Sequence, residues 1–403
     1  MNVLIYEPDF AGHRLTGVRV LLEALLELGR LDVAITVALG EGGRESKPFE
    51  VQLAALANRF KLRTVPYASR GSVRGDAQAK ARALVDLLRA GQFQHIYMPY
   101  ADGVTQVLGV RGLVPFSGYR FPKDVVGEGL TMRGGYAYPG ASRGKSWATL
   151  TAYGLSPWKR IHLIDPIPFR WIRKNKPGLL RKASLLADPI DTRPGIDRAT
   201  ARRNLGLPES GRLVGCVGMI DQRKGGDLLV KAFASAKLNE DDRLLLGGKQ
   251  DAAVKQVVAQ LDPAVRSRVI EFDRYLSEDE LHWATCALDL MATPYPGFIG
   301  SASIVIRAAV AGRRVLAADT GWMGYVVPKF GLGRVVNVFD HAKLARAIEE
   351  ELPLAVTHVA PESARQLASF YSIDNVRAGW TSLIRERLGM PQREGRVNWP
   401  DSD

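Results

Sequence analysis

Short apolar runs separated by amphipathic stretches of helical period pass along this chain twice, with a polar break between the two passes. In the first pass, residues 3–6, 33–37, 63–66, 95–98, 113–116, 161–164 and 184–186 read as strands, and residues 18–28, 49–58 and 77–90 as helices. Consecutive strands joined through helices can pair only in parallel, because each crossover needs the length of a helix, so the rhythm predicts a doubly wound sheet. Residues 120–160 are irregular and rich in Gly, Tyr and Arg, and are predicted as long loops near a site. Residues 188–195, Asp-Pro-Ile-Asp-Thr-Arg-Pro-Gly, read as a linker. The alternation then restarts, with strands at 213–217, 243–246, 269–272, 288–291 and 315–318 and helices at 227–236, 252–261, 278–286 and 303–311. Two further helices, 361–369 and 374–388, precede a polar tail that is expected to be loose.

The prediction is therefore α/β, with two doubly wound, Rossmann-like domains facing a cleft. Domain boundaries are placed at 1–187 and 188–373, followed by a helix at 374–390 and a tail at 391–403. A chain of 403 residues suits two cores of ordinary size. Its 46% hydrophobic and 24% charged residues fit a globular protein, and no apolar run approaches the roughly 18 residues that span a bilayer. The chain opens directly on a strand without a secretory pattern, so a cytoplasmic location is expected, with the inner face of the membrane as a further option. Cys216 and Cys286 sit in apolar patterns and read as reduced core residues, with no disulfide or metal role.

Charge is unevenly placed. Residues 1–185 hold 27 Lys and Arg against 14 Asp and Glu, while residues 186–403 hold 28 of each, so the net +13 belongs to the first half. Such a half suits an anionic partner, whether a membrane surface, an acidic glycan or nucleic acid; it also suits an Arg-rich soluble surface. Residues 158–182 concentrate the feature, mixing Lys159, Arg160, Arg170, Arg173, Lys174, Lys176, Arg181 and Lys182 with Trp158, Phe169 and Trp171. Aromatic and basic residues mixed in this way suit an anionic membrane interface, and no RNA-binding signature accompanies them, so nucleic acid is not expected.

Residues 213–225 carry the sharpest chemical signal: an apolar strand runs into Gly218, then into Arg223-Lys224-Gly225 ahead of a helix. Glycine permits close backbone approach, a helix start offers unpaired N–H groups, and the two cations match a diphosphate. Residues 294–303 place Gly300, Ser301 and Ser303 at another helix start, and residues 7–13 turn through Gly12 after the first strand. In open parallel sheets ligands bind beyond the carboxyl ends of the strands, where all three segments fall.

The order Val217-Gly218, Arg223-Lys224-Gly225, Leu246-Gly247-Gly248, Leu276-Ser277 to Glu280-Leu281, Ala287 to Leu290, Pro294 and Arg307 to Gly312, with Val315-Leu316-Ala317 and Gly321, resembles the C-terminal domain of family 4 glycosyltransferases over about residues 205–350. The first half resembles that family only in its strand–helix rhythm and the Gly12 turn. The resemblance implies a GT-B-type fold, a nucleotide-diphosphate sugar held mainly by the second domain and an acceptor held mainly by the first. It also implies no divalent metal or other cofactor, retention of anomeric configuration, and a final helix that crosses back onto the first domain.

The chain departs from the family at several positions. Ile299 and Arg307 stand where the family commonly has two glutamates eight positions apart, Met219 stands where it commonly has arginine, and Phe116 to Tyr119 lack a histidine often found there.

On this basis Arg223 and Lys224 are assigned to the diphosphate, Gly12 and Gly218 to close backbone approach, and Gly300, Ser301 and Ser303 to the distal phosphate. Lys249 and Tyr275, at strand ends, are candidates for ribose and base, while His13 and Asp9 are candidates beside the transferred sugar and the acceptor. For Ser301 and Ser303 simple helix capping is the competing role, and for Asp9 an Asx turn. The acceptor reads as a glycan, a lipid or a small molecule. A carboxylate pair of the kind hydrolases use, a GxSxG elbow, a Walker-type lysine loop and a metal-spaced His/Cys cluster are all missing from the sequence. Two alternatives stand beside transfer: a GT-B-type binding protein without turnover, and a nucleotide-sugar epimerase.

Overall fold

The structure is a computed structural model that describes residues 1–400 except 11, 31, 68–70, 115–116, 133 and 393–394. It divides into two compact units, Met1–Pro189 with Ile373–Arg396, and Ile190–Ser372 with the residues from Val397 onward.

The first unit is built on seven parallel strands: β1 (Asn2–Glu7), β2 (Ala34–Gly40), β3 (Lys61–Val65), β4 (His95–Met98), β5 (Val126–Thr131), β6 (Trp158–Leu163) and β7 (Ala183–Leu185). Their order is β3-β2-β1-β4-β5-β6-β7, so the direction of winding reverses between β1 and β4. β1 is buried along Val3–Glu7 and pairs with β2 and β4 on either side, which is why it reads as a continuous apolar run rather than an alternating one.

The region predicted as long loops departs from that prediction. It contains β5 and the helix Arg143–Leu155; of the strand expected at 113–116, Leu113 and Val114 lie in a turn, and Pro115 and Phe116 lie outside the described residues. β5 reads Val-Gly-Glu-Gly-Leu-Thr because its neighbours fill the space side chains would need. A Cβ on Gly127 would come within 2.7 Å of the Trp158 ring, and one on Gly129 within 2.8 Å of Ala101 Cβ. Glycine normally weakens a strand; here it admits a buried tryptophan from β6.

The helix Ile373–Arg387 belongs to the first unit and packs on the helix Arg14–Leu26. Arg377 pairs with Glu27 at 2.8 Å and Glu23 at 3.4 Å, and Arg387 pairs with buried Glu128 at 2.6 Å. Trp380 lies edge-on against Tyr97 and His162.

The second unit has six parallel strands: β8 (Leu213–Val217), β9 (Arg243–Gly247), β10 (Val269–Glu271), β11 (Leu290–Thr293), β12 (Arg314–Ala318) and β13 (Gly333–Val336). Their order, β10-β9-β8-β11-β12-β13, reverses between β8 and β11. β13 and the helices Gly321–Lys329 and His341–Val356 add to the predicted set; Pro328 and Pro353 inside those helices hide them from a reading of period alone. β11 starts two residues later than predicted because Asp289, fully buried, is held by Arg202 at 2.8 Å and by the Leu213 N–H at 2.7 Å.

The tail also departs from expectation in part. Trp399 stacks edge-on against Phe330, Phe370 and Tyr371, and the Arg396 side chain donates to the Leu185 carbonyl. Among the described residues no helix is long and apolar enough to cross a membrane.

Candidate functional site

In each unit the predicted residues fall beyond the carboxyl ends of the central strands, and the two units equip that position differently. In the first unit β1 ends at Glu7, whose side chain is fully buried. Glu7 Oε1 accepts from Arg14 Nη1 at 3.0 Å and from the Asp9 N–H at 3.3 Å, while Oε2 is buried without a partner. Burial pushes this carboxyl up to about 8 against the pull of Arg14, because water no longer solvates the charged form. Asp9 is held by Lys80 at 2.5 Å, by the Tyr67 hydroxyl at 2.8 Å and by Arg14 at 3.5 Å. Burial alone would raise its pKa, but the bonds from Lys80 and Tyr67 outweigh it and hold the carboxyl below its ordinary range.

Gly12 turns the chain at φ +66°, a left-handed conformation with open space where a Cβ would stand. Ala11 lies outside the described residues. His13 then takes the N-cap position of the helix Arg14–Leu26 without capping it through its side chain. Instead its Nε2 lies 3.0 Å from Asp188 Oδ2, and the Tyr100 hydroxyl donates to Asp188 Oδ1 at 2.9 Å. Asp188 follows β7, so the segment predicted as linker supplies a carboxylate that orients His13. Asp9 and His13 thus share one cluster with Glu7, Arg14, Lys80, Tyr100 and Asp188, none of which was singled out from sequence. Glu7 could have been found as an acid closing an apolar strand; Lys80 and Tyr100 carry no local signal.

In the second unit Gly218 follows β8 at φ +102°, and Lys224 Nζ lies 3.2 Å from where its Cβ would be. Gln222–Lys224 form a single tight turn whose start is capped by Asp221, which accepts from the Lys224 N–H at 2.8 Å. Gly225 then takes φ +68° with no room for a side chain, since a Cβ would come within 2.1 Å of the Pro294 carbonyl oxygen. This contact seats the Arg-Lys-Gly turn on the segment after β11, where Lys224 lies 5.9 Å from the centre of the Tyr295 ring. Burial, then repulsion from Arg223, lower the Lys224 pKa. No carboxylate lies within ion-pair distance of Lys224 among the described residues, although Arg223, more than half exposed, reaches Asp221 at 3.5 Å.

The helix Ser303–Val310 begins without a side-chain cap, its N-cap position being Ala302, so neither Ser301 nor Ser303 takes the capping role. The preceding loop is braced from the start of the helix Gly321–Lys329, where the Trp322 backbone N–H donates to the Ile299 carbonyl at 3.0 Å and the Thr320 hydroxyl to the Phe298 carbonyl at 3.3 Å. Gly300 lies in this loop against the Phe298 ring. Lys249 is tied to Asp273 at 3.3 Å and Tyr275 is 73% exposed, so no contact joins either to Lys224. Arg307 pairs with Glu278 at 2.8 Å and Asp191 at 3.8 Å.

The aromatic residues of 158–182 differ in exposure, Trp171 lining a groove of the first unit while its other face meets the core. Trp158 is buried and donates to Thr105 Oγ1 at 2.9 Å, and Phe169 and Trp171 pack against the core.

No protein-family model matches the chain. In sequence it is similar to a D-inositol 3-phosphate glycosyltransferase of Salinispora arenicola, 29% identical over 202 residues, which are 47% of this chain and 45% of that protein. The chain spans about half the length of the curated relatives it matches. In structure it is similar to the sucrose-phosphate synthase of Thermosynechococcus elongatus, with a TM-score of 0.72 at 17% identity over 96% of this chain and 99% of that one. It is also similar to Anabaena HepE in complex with UDP and glucose, with a TM-score of 0.64 at 16% identity over 96% and 99%. The fold is that of GT-B-type glycosyltransferases, and the sequence relatives carry the same activity in their names.

Proposed function

We propose that this protein transfers a glycosyl group from a nucleotide-diphosphate sugar, with the second unit holding the donor and the first the acceptor. One observation carries the reading: Lys224, half-buried beside the Gly218 turn, makes no ion pair among the described residues, and Asp221, whose field reaches it, is paired with Arg223 instead. Burial of an ammonium without a counter-charge is unfavourable, and an arriving diphosphate removes that cost. As the donor bond breaks, negative charge accumulates on the leaving diphosphate, where Lys224 and the backbone N–H groups of the braced loop at 298–303 stabilise it. The UDP bound by HepE favours a uridine nucleotide.

The first unit suits an acceptor that brings hydroxyl groups. His13, oriented by Asp188, and Asp9, fixed by Lys80 and Tyr67, are assigned to acceptor hydroxyls. With the diphosphate charge met by Lys224, a divalent metal has no required role, and retention follows if the departing phosphate itself accepts the acceptor proton. The net positive first half further suits a reaction at the cytoplasmic face of an anionic membrane, with a glycan, lipid or small-molecule acceptor.

Thermal shift against UDP, GDP and ADP, followed by transfer assays with the matching sugars in EDTA, tests the reading. A selective rise with one nucleotide and EDTA-resistant transfer are expected; no response to any nucleotide overturns it. A second reading, donor binding without turnover, rests on Ile299 and on Arg307, which is occupied by Glu278 and Asp191. Stabilisation by a nucleotide with no transfer or donor hydrolysis would favour it.

A further inference from the structure

A groove of about 770 Å³ lies in the first unit between the helix Arg143–Leu155, the turn Gly135–Ala137 and residues 171–181, and shares no lining residue with the strand-end cluster. Its volume is that of a small-molecule site. Its floor is apolar, with Tyr136, Leu150, Trp171 and Leu179 packed on the core behind it. At its edge Trp147 is 70% exposed, which leaves a large apolar surface in water. Arg143, Lys176 and Arg181 also line it, and no acidic residue does. The Tyr136 hydroxyl, buried and lining the groove, has no hydrogen-bond partner.

These features constrain the ligand jointly. A neutral apolar molecule would leave three cations unanswered, and a free phosphate would leave Trp147 and the floor wet. An amphiphile with an anionic head answers both. We propose that this groove binds an anionic membrane phospholipid, with an acyl chain along Trp147, Leu150 and Trp171 and the headgroup phosphate on Arg143, Lys176 and Arg181. The positive balance of the first half draws the protein to the same surface over longer range. The site is thus built on Trp147, outside residues 158–182, while the cations of that stretch supply part of its rim.

Cosedimentation of the full chain with vesicles of phosphatidylcholine, with and without phosphatidylglycerol, tests the proposal. Binding only to the phosphatidylglycerol vesicles is expected. Trp147→Ala should weaken it by about tenfold, as expected for an apolar side chain that leaves water on binding. Arg181→Gln should weaken it by about fivefold, as expected for one cation near an anionic surface. Trp147 is exposed enough for its removal to leave the thermal midpoint unchanged; should it not, Leu155→Ser, also at an exposed rim position, serves as the second apolar probe. Glycerol phosphate should not compete. Binding that ignores both apolar variants, binding to phosphatidylcholine alone, displacement by glycerol phosphate, or no binding at all overturns the proposal. None of these readouts needs a sugar donor: vesicle binding without transfer would sink the transferase and keep the groove, and transfer without vesicle binding would do the reverse.

Discussion

The strand ends of the two units are opposites in their electrostatics. In the first, the basic side chains all lie against acidic ones: Arg14 against Glu7 and Asp9, Lys80 against Asp9, and the His13 ring against Asp188. In the second, Lys224 makes no ion pair among the described residues, and the turns around it are made of glycine. A site that is internally neutralised offers directional hydrogen bonds without a strong field and suits a polyol. A site that leaves a half-buried ammonium unanswered is built for an anion. The same kind of sheet thus carries two chemistries, set by where the carboxylates stand.

The largest effect that would break this comparison is expected at Lys224. Lys224→Met should lower kcat/KM for the nucleotide sugar by about 100- to 1,000-fold, the range seen when one donor to a developing oxyanion is removed. Its thermal midpoint without ligand should not fall, because the lysine is unpaired. Lys80→Met, which breaks a pair in the first unit, should leave nucleotide affinity by calorimetry unchanged. Equal loss of nucleotide affinity in both variants would erase the distinction between the units.

Next in size is a pH effect confined to the first unit. Glu7 holds its proton up to about 8, against an ordinary 4.5, so the folded chain binds more protons than the unfolded one between these values. The stability it contributes is full below about 4.5 and is lost as pH rises through about 8, a fall of order 3 kcal/mol between pH 5 and 8. Glu128 has the opposite sign. Burial opposes its charge, but the bonds from His162 and Arg387 hold it at about 2, so its contribution is present above 4.5 and lost as pH falls through about 2. Urea midpoints should decline from about pH 5 to about pH 8 in the parent and stay flat over that window in Glu7→Gln.

Much of the second unit was readable from sequence because its signals are local. The start at Glu278 follows a Ser277–Glu280 capping box, and the Gly218 and Gly225 turns announce themselves by residue type. The first unit hid more. β5 carries glycines because Trp158, thirty residues away in sequence, needs their space, and no local pattern encodes that. The strand-end cluster of the first unit was half visible for the same reason. Asp9 and His13 lie on one loop, but Lys80, Tyr100 and Asp188 reach it from three other segments, and only the parallel order of β1, β4 and their neighbours brings them together. Adjacent residues were also hard to rank: Arg223 and Lys224 look equivalent in sequence, while the fold buries one and exposes the other.

Smaller effects sharpen the comparison. Asp188→Asn keeps the shape around His13 and Tyr100 but removes the charge that orients the imidazole, and should lower kcat by about tenfold with little change in donor KM, less than the roughly 100-fold or more that loss of a general acid or base itself costs. A rise in donor KM instead would move His13 to the donor side.

Arg223→Ala should have the smallest effect. Its guanidinium is more than half exposed and already shares Asp221 at 3.5 Å, so water and a neighbouring charge screen whatever it offers a phosphate. The expected loss is under about 1 kcal/mol, a few-fold in kcat/KM, and should vanish at high salt. The Lys224→Met deficit should persist there, because its partner phosphate is met in a half-buried position. If Arg223 proved as costly to remove as Lys224, and equally so in salt, then the turn closes over the donor on binding and draws Arg223 out of water.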